Sequence, residues 1–167
     1  MERLFAPWRL AYVTTAEQRD RDQCVFCRAF ASSDDRATFT LWRRQRSFSM
    51  LNLYPYTSGH CMVAPIAHVG ELAALDTETL AELMVGARDL VAVLSDVYRP
   101  HGFNLGFNLG EAAGAGIEEH LHLHVVPRWR GDTNLMTAVS GVRVIPEDLG
   151  QTFERLRAAA VARAERV

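Results

Sequence analysis

Residues 77–98 carry the longest periodic pattern in the chain and are predicted to form an amphipathic helix. Apolar residues recur there at spacings of three and four: Leu80, Leu83, Met84, Ala87, Leu90, Val91, Leu94 and Val97. Asp76 is a favourable N-cap, and Pro100 with Gly102 ends the helical pattern. The apolar positions are numerous enough to serve both a core and an interface.

A second helix is predicted over residues 146–167. Pro146 suits the first helical position, and Glu147 with Asp148 follows it. The apolar positions of this helix are Leu149, Phe153, Leu156 and Ala160. Residues 1–23 show no clear hydrophobic period, so we expect an irregular segment that packs against the surface of the core or of a partner.

Alternation of apolar and polar residues predicts strands on both sides of the first helix. They cover residues 37–42, 47–53, 61–64, 102–109 and 120–127. In the fourth strand, Phe103, Leu105, Phe107 and Leu109 share one face, and Asn104, Gly106 and Asn108 share the other. The length of 167 residues predicts a single domain, residues 1–167. The order strands, helix, strands, helix predicts an α+β fold.

Charge and composition exclude several classes of function. The chain has 18 basic residues, all of them arginine, and 20 acidic residues. The resulting net charge of −2 argues against a nucleic-acid-binding surface. The absence of lysine excludes a Schiff-base lysine and a Walker-type phosphate-binding lysine. The sequence contains no run of 18 apolar residues, so no membrane span is predicted. The first 20 residues do not have the pattern of a secretory signal. We therefore expect a cytoplasmic protein with no membrane partner.

The candidate chemistry is concentrated in three alternating histidines, His120, His122 and His124. A strand would place all three imidazoles on one face and would turn Leu121, Leu123 and Val125 into the core. The glycine-rich residues 108–117 precede them and offer backbone N–H groups to anions. Because imidazole can attack phosphorus, bind phosphoryl oxygens or move a proton, this pattern favours phosphate chemistry.

Two other interpretations of the three histidines remain. They could be structural core residues, or they could bind one metal ion together. In a strand the outer two stand roughly 13 Å apart, so they can hardly reach the same ion. Their spacing therefore favours three separate roles.

Cysteine spacing indicates a second candidate site. Cys24 and Cys27 are spaced as half of a tetrahedral zinc site, although they could also be reduced buried cysteines or a redox pair. Cys61 lies in an apolar strand and is expected to be a core residue. His60 and His101 stand beside glycines and are expected to be structural or at the surface.

Residues 120–126, His-Leu-His-Leu-His-Val-Val, resemble the histidine triad motif of the HIT family. The resemblance extends over residues 52–60, over residues 62–65 with His68, and over residues 6–9 and 127–134. These last two segments resemble the branch of dinucleoside tetraphosphate phosphorylases and Fhit-like hydrolases. The resemblance implies a HIT-like fold with an antiparallel sheet of about five strands and two main helices. It also implies a homodimer or higher homo-oligomer.

The resemblance further implies a mechanism. His122 would attack the α-phosphorus and form a nucleotidyl-histidine, and His124 would bind the phosphoryl oxygens and the leaving group. Asn52 would bind ribose, and the phosphate would contact Asn108 and the N–H groups of the loop at Gly114, Ala115, Gly116 and Ile117. Water or inorganic phosphate would release the nucleotide, and catalysis would need no metal. The loop 114–119 lacks the Gln, Ser or Thr of typical members, so the sequence leaves the acceptor open.

The metal set also follows from the resemblance, which adds two histidines to the cysteine pair. The four implied ligands are Cys24, Cys27, His68 and His120, a closed set that would hold a structural zinc ion. The implied function is cleavage or transfer of nucleotides from dinucleoside polyphosphates. Two alternatives remain: a nucleoside phosphoramidase, and a zinc-stabilised nucleotide-binding module without turnover.

Overall fold

The computed structural model describes residues 24–132 and 147–164. The expectations for residues 1–23 and for Pro146 lie outside these ranges. The helices are α1 (Val25–Ala31), α2 (Asp35–Thr38), α3 (Thr77–Tyr98) and α4 (Leu149–Ala164). The strands are β1 (Thr40–Arg43), β2 (Ser47–Leu51), β3 (Cys61–Pro65), β4 (Gly102–Phe107) and β5 (Leu123–Arg128).

The five strands form one sheet in the order β1-β2-β3-β5-β4, and every neighbouring pair is antiparallel. This confirms the α+β prediction. The triad strand β5 lies between β3 and β4, with His124 opposite Met62 on one side and opposite Gly106 on the other. The last triad histidine is therefore held by two strands.

The two faces of the sheet carry separate hydrophobic clusters. Helices α3 and α4 cover one face, where Cys61, Val63, Leu123 and Val125 join the larger cluster. The smaller cluster lies on the opposite face and contains Cys24, Phe26, Ala29, Phe48, Met50, Met62, Ala64 and Ile117. Because side chains alternate along a strand, His124 lies on this second face. Cys61 is fully buried, as its apolar strand predicted.

The helix α3 has the bounds that its periodicity predicts. The Asp76 side chain accepts a hydrogen bond from the Thr79 N–H at 2.7 Å and caps the first turn. At the other end Arg99 adopts a left-handed conformation with φ of 47°, and its N–H donates to the Ser95 carbonyl. These signals are local, which explains why the sequence was sufficient to place them.

The strand predicted at 37–42 is wrong in its first half. Ala37 and Thr38 belong to α2, and the strand begins at Thr40. The Asp34 side chain accepts from the Ala37 N–H at 3.0 Å, and Phe39 with φ of 53° ends the turn. The cap and the left-handed residue therefore stabilise one helical turn where alternation alone predicted a strand.

Three other predicted bounds need correction. The strand predicted at 47–53 ends at Leu51, because the chain then turns, and the strand predicted at 102–109 ends at Phe107. The last helix begins at Leu149, and Asp148 caps it by accepting from the Gln151 N–H at 3.0 Å. Glu147 precedes the helix and accepts hydrogen bonds from Tyr98 and Arg155. Among the described residues, no helix combines the length and apolarity needed to cross a membrane.

Candidate active site and candidate metal centre

The three histidines differ in position from the predicted strand. β5 begins at Leu123, so His120 and His122 precede it and only His124 belongs to the strand. The Leu121 N–H donates instead to the Val69 carbonyl at 2.7 Å, in the loop that follows β3. All three histidines are nonetheless buried on the α1 side, with exposures of 0%, 7% and 8%. The three histidines have different neighbours, and their separate roles stay a prediction.

Hydrogen bonding fixes the tautomer of His122. Its Nδ1 lies 2.9 Å from the His120 carbonyl oxygen, which can only accept, so Nδ1 carries the proton. The lone pair of a neutral ring is therefore on Nε2. Burial lowers the pKa of His122 below its ordinary value, although the bond to the carbonyl opposes this. The lowered pKa favours the neutral imidazole, whose lone pair is on Nε2.

His124 is oriented by a chain of hydrogen bonds through His60. The Tyr56 N–H donates to His60 Nδ1 at 3.1 Å, so the proton of a neutral His60 is on Nε2. That Nε2–H donates to His124 Nδ1 at 3.0 Å. A neutral His124 then carries its own proton on Nε2, which lies 3.5 Å from the Asn108 amide nitrogen. His124 therefore presents a hydrogen-bond donor, as binding of phosphoryl oxygens requires.

The sequence analysis did not predict the contact between His60 and the triad. His60 was expected to be structural or at the surface, yet it is 1% exposed and bonded to His124. The available signal was alternation, because His60 has the same parity as Met62, which faces His124 across the sheet. His101, the other histidine in that expectation, is exposed and accepts a hydrogen bond from the Arg130 N–H.

Two N–H groups of the predicted phosphate loop take part in hydrogen bonds of the loop's own turn. The loop forms a short 3₁₀ turn, and the N–H groups of Gly114 and Ala115 donate to carbonyls of the loop itself, at 2.8 and 3.3 Å. The Ile117 side chain packs in the smaller cluster. Asn108 Nδ2 lies 3.5 Å from the Gly114 carbonyl oxygen, to which it can donate, and 3.5 Å from His124 Nε2, so Asn108 lies between the loop and the triad.

Asn52 lies beside the same histidines. Its Oδ1 accepts from the Tyr54 N–H at 2.9 Å, and its Nδ2 lies 3.3 Å from His60 Nδ1. The amide is thus engaged with its own turn and with the His60–His124 pair. Its predicted contact with ribose stays a prediction.

Cys24, Cys27, His68 and His120 converge in space, as the resemblance implied. Their ligand atoms all lie within 4.8 Å of one another. The Sγ of Cys24 is 3.4 Å from His120 Nδ1, and the Sγ of Cys27 is 3.3 Å from His68 Nδ1. Tetrahedral zinc with its usual bond lengths separates a sulfur from a nitrogen by about 3.6 Å.

The protonation of His120 also fits a metal ligand. Its Nε2 lies 2.9 Å from the Pro65 carbonyl oxygen and must carry the proton, so the Nδ1 lone pair faces the two sulfurs. Burial raises the pKa of the Cys24 thiol, and a cation at this point would favour the thiolate instead. The four side chains therefore suit a tetrahedral soft cation.

Close approach of two loops brings His68 to His120. A Cβ atom on Gly70 would stand 2.2 Å from the Glu118 carbonyl oxygen, so only glycine fits there. The same approach permits the hydrogen bond from Leu121 to Val69. The convergence of the four candidate ligands thus depends on Gly70, which is not itself one of them.

Comparison with known proteins decides the family. The HIT domain model matches residues 35–131, which is more than half of the chain. The chain belongs to the HIT family. This HIT protein is 41% identical over 158 residues to an AP-4-A phosphorylase from Mycobacterium tuberculosis, covering 91% of this chain and 80% of the relative.

Two further matches extend the comparison. A bis(5'-adenosyl)-triphosphatase from Dictyostelium discoideum is 30% identical over 86 residues, covering 52% of the HIT chain and 57% of the relative. The crystal structure of a Zn-bound histidine triad family protein from Mycobacterium smegmatis superposes with a TM-score of 0.70 at 26% identity. It covers 89% of this chain and 100% of the other. The resemblance drawn from the sequence is confirmed at the level of family and fold.

A cleft of about 260 Å³ opens beside His124 in this HIT domain. Its lining comes from the loop after β2, from β4 and from β5. Asn108 lies on its lining near the triad, and Arg128 and Asp132 lie farther along it. The sequence analysis did not find this cleft, because two strands and a distant loop enclose it.

Proposed function

We propose that this HIT protein cleaves dinucleoside polyphosphates through a nucleotidyl-histidine on His122 and passes the nucleotide to water or to inorganic phosphate. The tautomer of His122 carries the proposal, because it leaves the Nε2 lone pair available for attack. The 41% identity to an AP-4-A phosphorylase supports the substrate class.

In the first half of the reaction, a bond forms between His122 Nε2 and the α-phosphorus. The bond from that phosphorus to the bridging oxygen breaks, and the oxygen leaves with the electron pair as a nucleoside polyphosphate anion. The Nδ1–H of His122 stays bonded to the His120 carbonyl and supports the charge on the substituted ring. His124 Nε2–H donates a hydrogen bond to the phosphoryl or leaving oxygen, and a terminal phosphate needs no proton to depart.

In the second half, an oxygen of the acceptor attacks the same phosphorus. The bond from phosphorus to Nε2 breaks, and its electron pair returns to the ring. A water acceptor loses its proton to solvent, whereas inorganic phosphate attacks with an oxygen that is already anionic. The phosphorylase relative favours inorganic phosphate as the acceptor in this chain.

Product analysis with diadenosine tetraphosphate tests the function and the acceptor together. With inorganic phosphate present, we expect ADP and ATP to form in equal amounts. AMP and ATP, formed at a rate independent of phosphate, would establish water as the acceptor and retain the histidine mechanism. No turnover of the tetraphosphate with or without phosphate would contradict the proposal.

We also propose that the four-ligand cluster binds one structural zinc ion. Two thiolates and two imidazoles in a closed tetrahedral set suit zinc, and the Zn-bound structural relative supports this choice. The ion would join α1 to the start of the triad through His120. None of the three cysteines forms a disulfide, which is compatible with the cytoplasmic location proposed from the sequence.

The protein is further proposed to be a homodimer that pairs sheets, as the family resemblance implied. In the part of the chain that the structure describes, β4 is the last strand in the sheet order, and Leu105 on it is 45% exposed. An open strand edge offers unpaired backbone groups to a second copy. We expect light scattering at micromolar concentration to give about twice the mass of one chain. A strict monomer under those conditions would contradict the dimer.

A further inference from the structure

The even-numbered side chains of residues 120–128, which run into strand β5, follow a definite order along the chain. The metal ligand His120 comes first, then the nucleophile His122, then His124. Beyond His124, on the same face, lie Val126 and Arg128, and these line the cleft. A leaving group bound by His124 would therefore lie at the start of the cleft and could extend along it.

Gly106 lines the cleft beside His124. It pairs with His124 across the sheet, and a Cβ atom built on it would meet nothing within 4 Å. Its backbone φ is not in the left-handed region, so the conformation does not require glycine. Glycine inside a strand often marks close approach of a ligand. Any side chain here would enter the space beside His124.

The far end of the cleft is polar but balanced in charge. Nε and Nη2 of Arg128 donate to both oxygens of the Asp132 carboxylate, at 2.5 and 2.9 Å, and Nη1 donates to Asn104 Oδ1 at 2.8 Å. Because a carboxylate neutralises the guanidinium, this end suits sugar hydroxyls and a base edge better than a phosphate. Phosphates would be held nearer the triad, by His124 and Asn108.

We propose that this cleft binds the leaving half of the substrate, with the distal nucleoside lying over Gly106 and its polar edge on Arg128, Asp132 and Asn104. The inference rests on the proposed function. Arg128 is four positions after His124 along the strand, a span of roughly 13 Å. This leaves room for the phosphate bridge before the second nucleoside. A substrate with a small leaving group would not reach the polar end.

The replacement Gly106→Val tests the subsite with two substrates that share the adenylyl half. One is diadenosine tetraphosphate, and the other is the p-nitrophenyl ester of AMP, whose leaving group is small. We expect the ratio of kcat/KM for the tetraphosphate to that for the ester to fall at least about tenfold in Gly106→Val. Met84→Val is the control, because Met84 is 56% exposed on α3 and does not line the cleft. Its ratio should stay within about twofold of the wild type.

Arg128→Met provides a second variant that keeps the aliphatic stem and removes the hydrogen bonds. It should lower the same ratio even if Gly106→Val fails to fold. An unchanged ratio in Arg128→Met and in folded Gly106→Val, or an equal loss on both substrates, would overturn the subsite. Failure of the wild type to cleave either substrate would overturn the proposed function instead.

Discussion

Replacement of His122 with alanine is expected to lower kcat for a dinucleoside tetraphosphate by at least roughly four orders of magnitude. The variant loses the atom that forms the bond to phosphorus, and no neighbouring group can substitute for it. His124 presents a proton rather than a lone pair, because His60 donates to its Nδ1. Rapid-mixing or long-incubation product assays measure the loss.

Nucleotide binding should survive this replacement within about threefold, since the surrounding polar groups remain. His124→Asn should cost less, about 10²–10³-fold in kcat, because it removes a hydrogen bond to the phosphoryl or leaving oxygen and not the nucleophile. His101→Asn is the control, since His101 is exposed and Asn can still accept from the Arg130 N–H. Near wild-type turnover in His122→Ala would contradict the assignment.

Replacement of Cys27 with serine is expected to remove most of the bound zinc and to lower Tm by roughly 5–15 °C. Zinc binding supplies on the order of 10 kcal/mol of folding energy in small zinc domains. The two hydrophobic clusters should reduce that dependence to a few kcal/mol here. Elemental analysis of protein purified without chelator, together with thermal melts, measures both effects.

Cys61→Ala separates the metal from ordinary packing. Cys61 is fully buried in the larger cluster and is not one of the four clustered ligands. Its replacement should lower Tm by a packing cost while zinc stays at about one ion per chain. Wild-type protein with no zinc, or Cys27→Ser with a full complement of zinc, would refute the metal site. Because the His120 carbonyl holds His122, zinc loss should also lower turnover.

The parts of the fold that the sequence predicted well depend on local signals. Helix α3 is the clearest example, because its periodicity and the Asp76 cap are all within one segment. The error at Ala37 and Thr38 is also local, but there two signals compete. Alternation favoured a strand, whereas the Asp34 cap stabilises a helical turn.

The candidate site was predicted only where a motif marked its residues. The family resemblance supplied the set of four metal ligands, and the structure brings them together over a separation of almost 100 residues. The contact of His60 with His124 was not predicted, because it depends on the register between β3 and β5. The start of β5 was misplaced for a similar reason, since Leu121 bonds to a distant loop. Such contacts are set by tertiary packing.

Trapping of the covalent intermediate tests the central claim most directly. A single turnover of diadenosine tetraphosphate, quenched in alkali because phosphoramidates survive base better than acid, is digested with trypsin and sequenced by mass spectrometry. The chain has no lysine and Arg99 precedes proline, so the expected peptide spans residues 89–128 and contains His101 as well as the triad. Fragmentation should place an adenylyl group on His122. An adenylyl group on another residue, or substrate consumption without any adduct during the turnover, would contradict the account.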